Sequence, residues 1–241
     1  MPKLGINIDH VATLRQARRE FSPDPIAAAK ICQQAGANSI VAHLREDRRH
    51  ILDRDILALR RILKIKFNLE MSIEPEIVRI AARIKPDQAT LVPEKREELT
   101  TEGGLDVIKN FDRIQRVVKR LKARKIIVNL FIDPDPRQIR KAKETGAQAI
   151  ELHTGRYAHA KTKKAAASEL RKIKAGVLLG RKIGLTVHAG HGLNYQNTRA
   201  VARIKGIEEL NIGHSIIARA VFVGLKQAVR EMRRLALMNH D

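Results

Sequence analysis

At 241 residues, 44% hydrophobic and 30% charged, the chain is the size of one (β/α)₈ barrel and rather long for a simple two-layer domain. No apolar run approaches the ~18 residues of a membrane span and no signal-peptide core opens the chain, so a cytoplasmic protein without membrane contact is expected. The single cysteine, Cys32, excludes an intramolecular disulfide and a thiolate metal cluster, whereas the net charge of +21 fits nucleic acid, an anionic membrane surface or an acidic small substrate equally.

Short β-branched or apolar runs alternate with longer amphipathic ones along the chain, the pattern of repeated βα units. Eight strands are predicted: Leu4–Ile8, Ser39–Leu44, Phe67–Met71, Ala89–Val92, Ile126–Ile132, Ala149–Leu152, Leu185–Val187 and Glu208–Ile212. Helices are predicted at Pro25–Ala35, Arg54–Leu63, Glu74–Ile84, Phe111–Ala123, Arg137–Thr145, Ala165–Leu179, Asn197–Ile204 and Ser215–Met238. Two echoing segments, Gly36-Ala37-Asn38-Ser39-Ile40 and Gly146-Ala147-Gln148-Ala149-Ile150, each follow a helix and open a strand, with glycine supplying the left-handed helix stop. No linker or low-complexity stretch divides the chain. The expected fold is α/β, a single (β/α)₈ TIM-barrel domain over residues 1–241 with extra short helices. A doubly wound open sheet is the structural rival, because closure is not readable from one sequence.

The basic surplus concentrates in helical stretches, Arg116–Lys125, Arg137–Lys143 and Lys161–Lys174, which read as solvated outer faces. With no Trp, two Tyr and five Phe, the chain lacks the stacking platforms of single-strand binders, so no nucleic-acid partner is expected.

In βα-barrels the active site lies at the C-terminal ends of the strands, and seven of the eight predicted strands deliver polar or ionisable residues there. Strand one ends in Asn7, Asp9 and His10, and strand two in His43, Arg45 and His50. Strand three carries Asn68 and Glu70, and strand four leads into Glu94, Lys95, Arg96 and then Thr100, Thr101, Glu102, Gly103 and Gly104. Strand six holds Glu151 and His153; strand seven leads into a glycine-containing loop with His188, His191 and Gly192; strand eight leads into Asn211, Gly213 and His214. Each alone reads as well as a satisfied structural group. Their convergence is what points to acid–base chemistry, since Asn68, Glu70 and Glu151 lie in otherwise apolar strands where burial raises a carboxyl pKa toward neutrality.

The glycines after strands seven and eight stand where barrels bind phosphate with backbone N–H groups and a helix N-terminus. Arg18, Arg45 and His50 are further phosphate candidates, against the alternative of solvated charge. No HExxH motif or GxSxG elbow occurs, so neither a metal site nor a serine nucleophile is expected. A Schiff-base lysine would stand within a strand near the mouth, whereas Lys66 opens strand three and Lys95 lies in a loop.

The segments Gly5-Ile6-Asn7-Ile8-Asp9-His10-Val11-Ala12-Thr13-Leu14-Arg15, His43-Leu44-Arg45-Glu46-Asp47-Arg48-Arg49-His50-Ile51, Asn68-Leu69-Glu70-Met71, Glu151-Leu152-His153-Thr154-Gly155, Ala189-Gly190-His191-Gly192-Leu193 and Glu209-Leu210-Asn211-Ile212-Gly213-His214 make the chain recognisable. It resembles the pyridoxine 5′-phosphate synthase family over nearly its whole length. The resemblance implies a TIM barrel that condenses 1-deoxy-D-xylulose 5-phosphate with 3-amino-2-oxopropyl phosphate to pyridoxine 5′-phosphate, phosphate and water. It implies no metal, no prosthetic group and a homo-octamer. His43 and Glu70 would then act as bases, His191 as an acid and Glu151 as a transition-state stabiliser. Asn7, Arg18, Gly192, Gly213 and His214 would hold the amino-ketone phosphate; Asp9, His10, Arg45, His50 and Thr100 would hold the deoxyxylulose phosphate. The rival functions are another phosphate-binding barrel enzyme, an isomerase or aldolase, and a basic nucleic-acid-binding module.

Overall fold

The computed structural model describes residues 1–95, 98, 100 and 103–237. Eight parallel strands pair in chain order: β1 (Lys3–Asn7), β2 (Ser39–Leu44), β3 (Lys66–Met71), β4 (Gln88–Leu91), β5 (Ile127–Ile132), β6 (Ala149–His153), β7 (Thr186–Gly190) and β8 (Ile207–Ile212). β8 pairs back onto β1, closing a (β/α)₈ barrel and excluding the open sheet. The helices are α1 (Asp9–Arg18), α2 (Pro25–Gln34), α3 (Asp53–Ile62), α4 (Pro75–Ile84), α5 (Phe111–Lys122), α6 (Pro136–Glu144), α7 (Gly155–Ala158), α8 (Lys163–Lys182), α9 (Thr198–Ala202), α10 (His214–Val223) and α11 (Leu225–Leu237). Arg96, Thr101, Glu102 and Met238, placed by the sequence at a strand or helix end, lie outside the described residues.

Local chemistry sets these elements. Asp24 and Asp135 cap α2 and α6 through their carboxylates, with proline at the first helical position of each. Gly36 and Gly146 follow the helix ends at φ +98° and +85°, a conformation that residues with a Cβ rarely adopt. On α5, Ile114, Val117, Val118 and Leu121 are buried at spacings of three, four and seven, so one stripe faces the sheet.

Because strand side chains alternate, the sheet has two surfaces of different character. Outward residues such as Ile40, Leu44, Leu69, Met71, Leu130 and Ile132 are buried under the helices and form the main apolar core. The inward surface is largely polar. Thr90 Oγ1 donates to Asn68 Oδ1 at 2.8 Å and accepts from Asn129 Nδ2 at 3.0 Å, and the Glu209 carboxylate takes Ser39 Oγ at 3.0 Å and Lys66 Nζ at 2.7 Å. Lys66 is thus committed to a structural ion pair at the end of the barrel away from the mouth.

Three elements differ from the sequence reading. Asp9–Arg18 is helical rather than a strand-end loop, starting without a side-chain cap. β7 continues through His188 to Gly190, placing His188 inside the barrel wall instead of in the loop. The final helix is broken at Gly224, whose φ of +79° separates α10 from α11.

Candidate active site

The strand and helix ends at the barrel mouth enclose a cavity of about 610 Å³. Of the residues singled out by sequence, Asn7, Asp9, His10, His43, Arg45, His50, Glu70, Glu151, His191, Gly192, Gly213 and His214 all line it. Arg18 and Thr100 are not on its wall. Arg18 is exposed at the end of α1 with its Nε 3.8 Å from Glu20, and Thr100 stands behind Gly103, donating through Oγ1 to Asp133.

One side of the cavity is a hydrogen-bonded carboxylate cluster. Asn7, at the end of β1, accepts the Asp9 N–H at 2.9 Å and donates through Nδ2 to Asp9 at 2.9 Å and to Glu70 at 3.3 Å. Asp9 in turn accepts the His43 backbone N–H at 2.9 Å. β2 and β3 set His43 beside Glu70 in register. Burial, together with the charges of Asp9 and Glu151, raises the Glu70 carboxyl well above the ordinary carboxylate range.

His43 Nε2 lies 2.8 Å from Glu94 Oε1, and Glu94 Oε2 accepts the Glu46 N–H at 3.1 Å with Arg45 Nη2 at 3.7 Å. Burial pushes Glu94 up, but its hydrogen bond to His43, the His43 and Arg45 charges and the backbone bond outweigh this and leave it lowered. Glu94 is therefore a charged anchor that orients His43. His50 accepts the Ile51 N–H on Nδ1 at 2.8 Å, so its neutral ring carries the proton on Nε2. Its backbone carbonyl is held by Arg15, which is buried in a bidentate pair with Asp55 at 2.7 and 2.8 Å.

Across the cavity, Asn211 Nδ2 donates to Glu151 Oε2, and burial leads the effects that leave Glu151 at about 7, with Glu209 adding to the rise and Asn211 opposing it. Gly190 makes room for that carboxylate, because a Cβ there would overlap Glu151 Oε1. His191 takes a positive φ of +75° just beyond β7; burial, then His153 and His159, lower its pKa to about 4. Gly213 follows β8 as the N-cap of α10, where a Cβ would come within 2.9 Å of Asn7, and His10 and His214 meet edge to face at 5.0 Å. The free N–H groups and positive dipole at the start of α10 favour an anion.

The family model described as Pyridoxal phosphate biosynthesis protein PdxJ matches residues 4–238. This chain belongs to that family. It is 58% identical over 232 residues to a pyridoxine 5′-phosphate synthase of Trichlorobacter lovleyi, covering 96% of this chain and 97% of the relative. It is 56% identical over 235 residues to that of Thermosynechococcus vestitus, covering 98% and 99%. Among solved structures it is similar in fold to thiamine phosphate pyrophosphorylase from Pyrococcus furiosus (TM-score 0.61, 17% identity, 97% and 95% covered) and to KGPDC from Streptococcus mutans (TM-score 0.68, 12% identity, 98% and 97% covered).

Within this PdxJ-family cavity, Asp9, His43 and Glu70 bring three potential ligand atoms within 4.8 Å of one another, compact enough for a divalent cation. Their hydrogen bonds to Asn7, Glu94 and the His43 N–H already engage these groups as a proton-handling cluster. His188, by contrast, is buried in β7 outside the cavity wall, and burial with Lys66 and Lys3 lowers it to about 3, so it is a neutral wall residue. Sequence reasoning left Glu94, Phe131, His159 and Asn211 out of the site; Glu94 and Asn211 carried the strand-end signal, but nothing in the sequence pairs them with His43 and Glu151.

Proposed function

We propose that this cavity condenses 1-deoxy-D-xylulose 5-phosphate with 3-amino-2-oxopropyl phosphate to pyridoxine 5′-phosphate, phosphate and water, by general acid–base catalysis without a metal or prosthetic group. The observation that carries the reading is the placement of His43, Glu70, Glu151 and His191 around one cavity whose wall also carries Arg45, His50 and the first residue of α10. By family pattern Gly192, Gly213, His214 and Asn7 take the amino-ketone phosphate and Arg45, His50, His10 and Asp9 take the deoxyxylulose phosphate; the two sets adjoin, with Asn7 bonded to Asp9 and His10 packed on His214. Thr100 and Arg18 belong to these two groups by family pattern.

Amine addition, imine formation, phosphate loss and ring closure each move protons. With Nε2–H donating to Glu94, the other ring nitrogen of His43 is the basic one, and Glu94 stabilises the imidazolium once a proton is taken. Glu70, whose carboxyl is raised well above the ordinary carboxylate range by burial and by its acidic neighbours, is the second group able to take and return a proton. His191 is neutral in the free cavity at pH 7, so it acquires its proton when a substrate phosphate dianion adds its charge beside the ring. Holding both phosphates turns a bimolecular addition into a nearly unimolecular one.

The test is direct synthesis from the two phosphorylated ketones. A pyridine chromophore is expected at an undiminished rate in the presence of a chelator, with Glu70→Gln and His43→Ala each lowering kcat by about 10²–10⁴-fold. Full activity in either variant refutes the base role of that residue. The same reading places the enzyme in the cytoplasm as a homo-oligomer, an octamer by family pattern; Phe21 and Phe222, both more than 80% exposed, supply apolar surface for such contacts.

A further inference from the structure

Beside His191, and off the cavity wall itself, stands a second histidine and carboxylate pair. His153, at the end of β6, places Nδ1 3.1 Å from Asp133 Oδ1. The other oxygen of Asp133 accepts the Thr100 hydroxyl and the Gly104 N–H, the latter at 3.2 Å. Asp133 is buried and His153 nearly so, and neither is on the cavity wall. The His153 ring meets the His191 ring edge to face at 5.0 Å, and both rings pack on Phe131, at 5.1 and 6.2 Å.

The ring of His153 has little freedom. A Cβ on Gly155 would overlap its Nε2, and one on Gly103 would come within 3.2 Å of its Cε1, so two glycines hold the slot in which the ring stands. Fixed on one edge by a carboxylate and confined by backbone on the others, His153 presents a rigid wall to His191. His191 needs such a wall, because it sits just past β7 at a positive φ and its ring is anchored by no hydrogen bond among the described residues. The Thr154 hydroxyl holds its backbone carbonyl at 2.6 Å, which leaves the ring orientation to the neighbours it packs against.

We propose that Asp133 and His153 are positioning residues for His191: the carboxylate, held by Thr100 and Gly104, fixes the His153 ring, and that ring fixes the orientation of the His191 imidazole. This rests on the reading of His191 as the acid of the reaction. His153 and His159 are the charged-capable groups that bear on His191, and both oppose its protonation. Loss of the Asp133 to His153 bond therefore changes both the aim of the His191 ring and its electrostatic surroundings.

The experiment compares Asp133→Asn, which keeps the shape but removes the charge and turns one accepting oxygen into a donating NH2, with His153→Phe, which keeps a ring and removes the bond. In the direct synthesis assay each is expected to lower kcat by about 10–100-fold, the scale of a small misplacement of a reacting group, with KM for both substrates changed by less than about 2-fold. Each should also displace the pH limb that His191→Gln abolishes. In a His191→Gln background, Asp133→Asn is expected to cost less than about 2-fold further, because the two changes remove one function. Equal losses in both backgrounds, or a lowered Tm with unaltered kcat and pH profile, would overturn the proposal in favour of a purely structural tie to Thr100 and Gly104. If His153→Phe does not fold, the near-isosteric Asp133→Asn decides. Full activity of His191→Gln removes the acid role and this inference with it, whereas an impaired His191→Gln beside wild-type Asp133→Asn and His153→Phe removes this inference alone.

Discussion

Glu70 and Glu151 face each other across the mouth, and the charge of Glu151 is one of the causes that raise Glu70. A negative Glu151 disfavours a second negative charge at Glu70, so neutralising it makes Glu70 a stronger acid. Glu151→Gln should therefore move the acid limb of kcat/KM to lower pH, while lowering the plateau through loss of the stabilising charge; a pH–rate profile of the variant checks both. A limb that stays put would mean that Glu70 is not the group titrating there. The individual residues of this cluster were largely legible, since a polar side chain within an apolar strand announces itself. Their partners were not. Glu94 lies 51 positions from His43, Asn211 lies 60 from Glu151, and only barrel closure brings them together.

At the scale of elements, alternation and glycine punctuation were enough to place all eight strands, usually within one or two residues. What escaped were elements whose boundaries carry no local signal. α1 begins at Asp9-His10 with no capping side chain, so its start carries no sequence signal, although Ala12, Leu14, Arg15, Gln16 and Ala17 favour a helix and the buried Arg15–Asp55 pair ties it down. β7 ends in His-Ala-Gly, which reads as loop, yet the register to β6 and β8 holds it extended. The break between α10 and α11 rests on one residue: Gly224 sits at φ +79°, with open space where a Cβ would project. Gly224→Ala is thus a test of backbone strain free of steric clash. A loss of about 1–3 kcal/mol is expected, read from chemical denaturation, with little change in catalytic rate.

For the whole molecule, closure was the step the sequence could not decide, because an open sheet uses the same alternating units. The charge was visible but not its distribution. Residues 111–182 carry 20 basic against six acidic residues, so two thirds of the net charge lies along α5, α6 and α8. Much of it falls in last turns, at Lys119, Arg120, Lys122, Lys141, Lys143, Arg181 and Lys182, where the helix dipole favours cations. Helices of a barrel run back from the mouth, so these charges lie at the far end, beyond the ~8 Å screening length at physiological salt. Replacing Lys119, Lys122 and Lys182 by Gln is expected to leave kcat/KM within about 2-fold at that ionic strength; a larger fall would show that the remote field guides the phosphorylated substrates inward.

The polar inner surface of the barrel has a thermal consequence. Unfolding hydrates apolar groups from the layer beneath the helices, which raises the heat capacity, and also Asn68, Gln88, Thr90, Asn129, Glu209 and their neighbours from the lumen, which lower it. The increment on unfolding should fall toward or below the ~12 cal/mol/K per residue end of the usual range, measurable by scanning calorimetry wherever unfolding is reversible. A smaller increment flattens the curve of stability against temperature. The side chains that make the lumen suitable for proton chemistry would thereby also make the fold less sensitive to the temperature at which that chemistry runs.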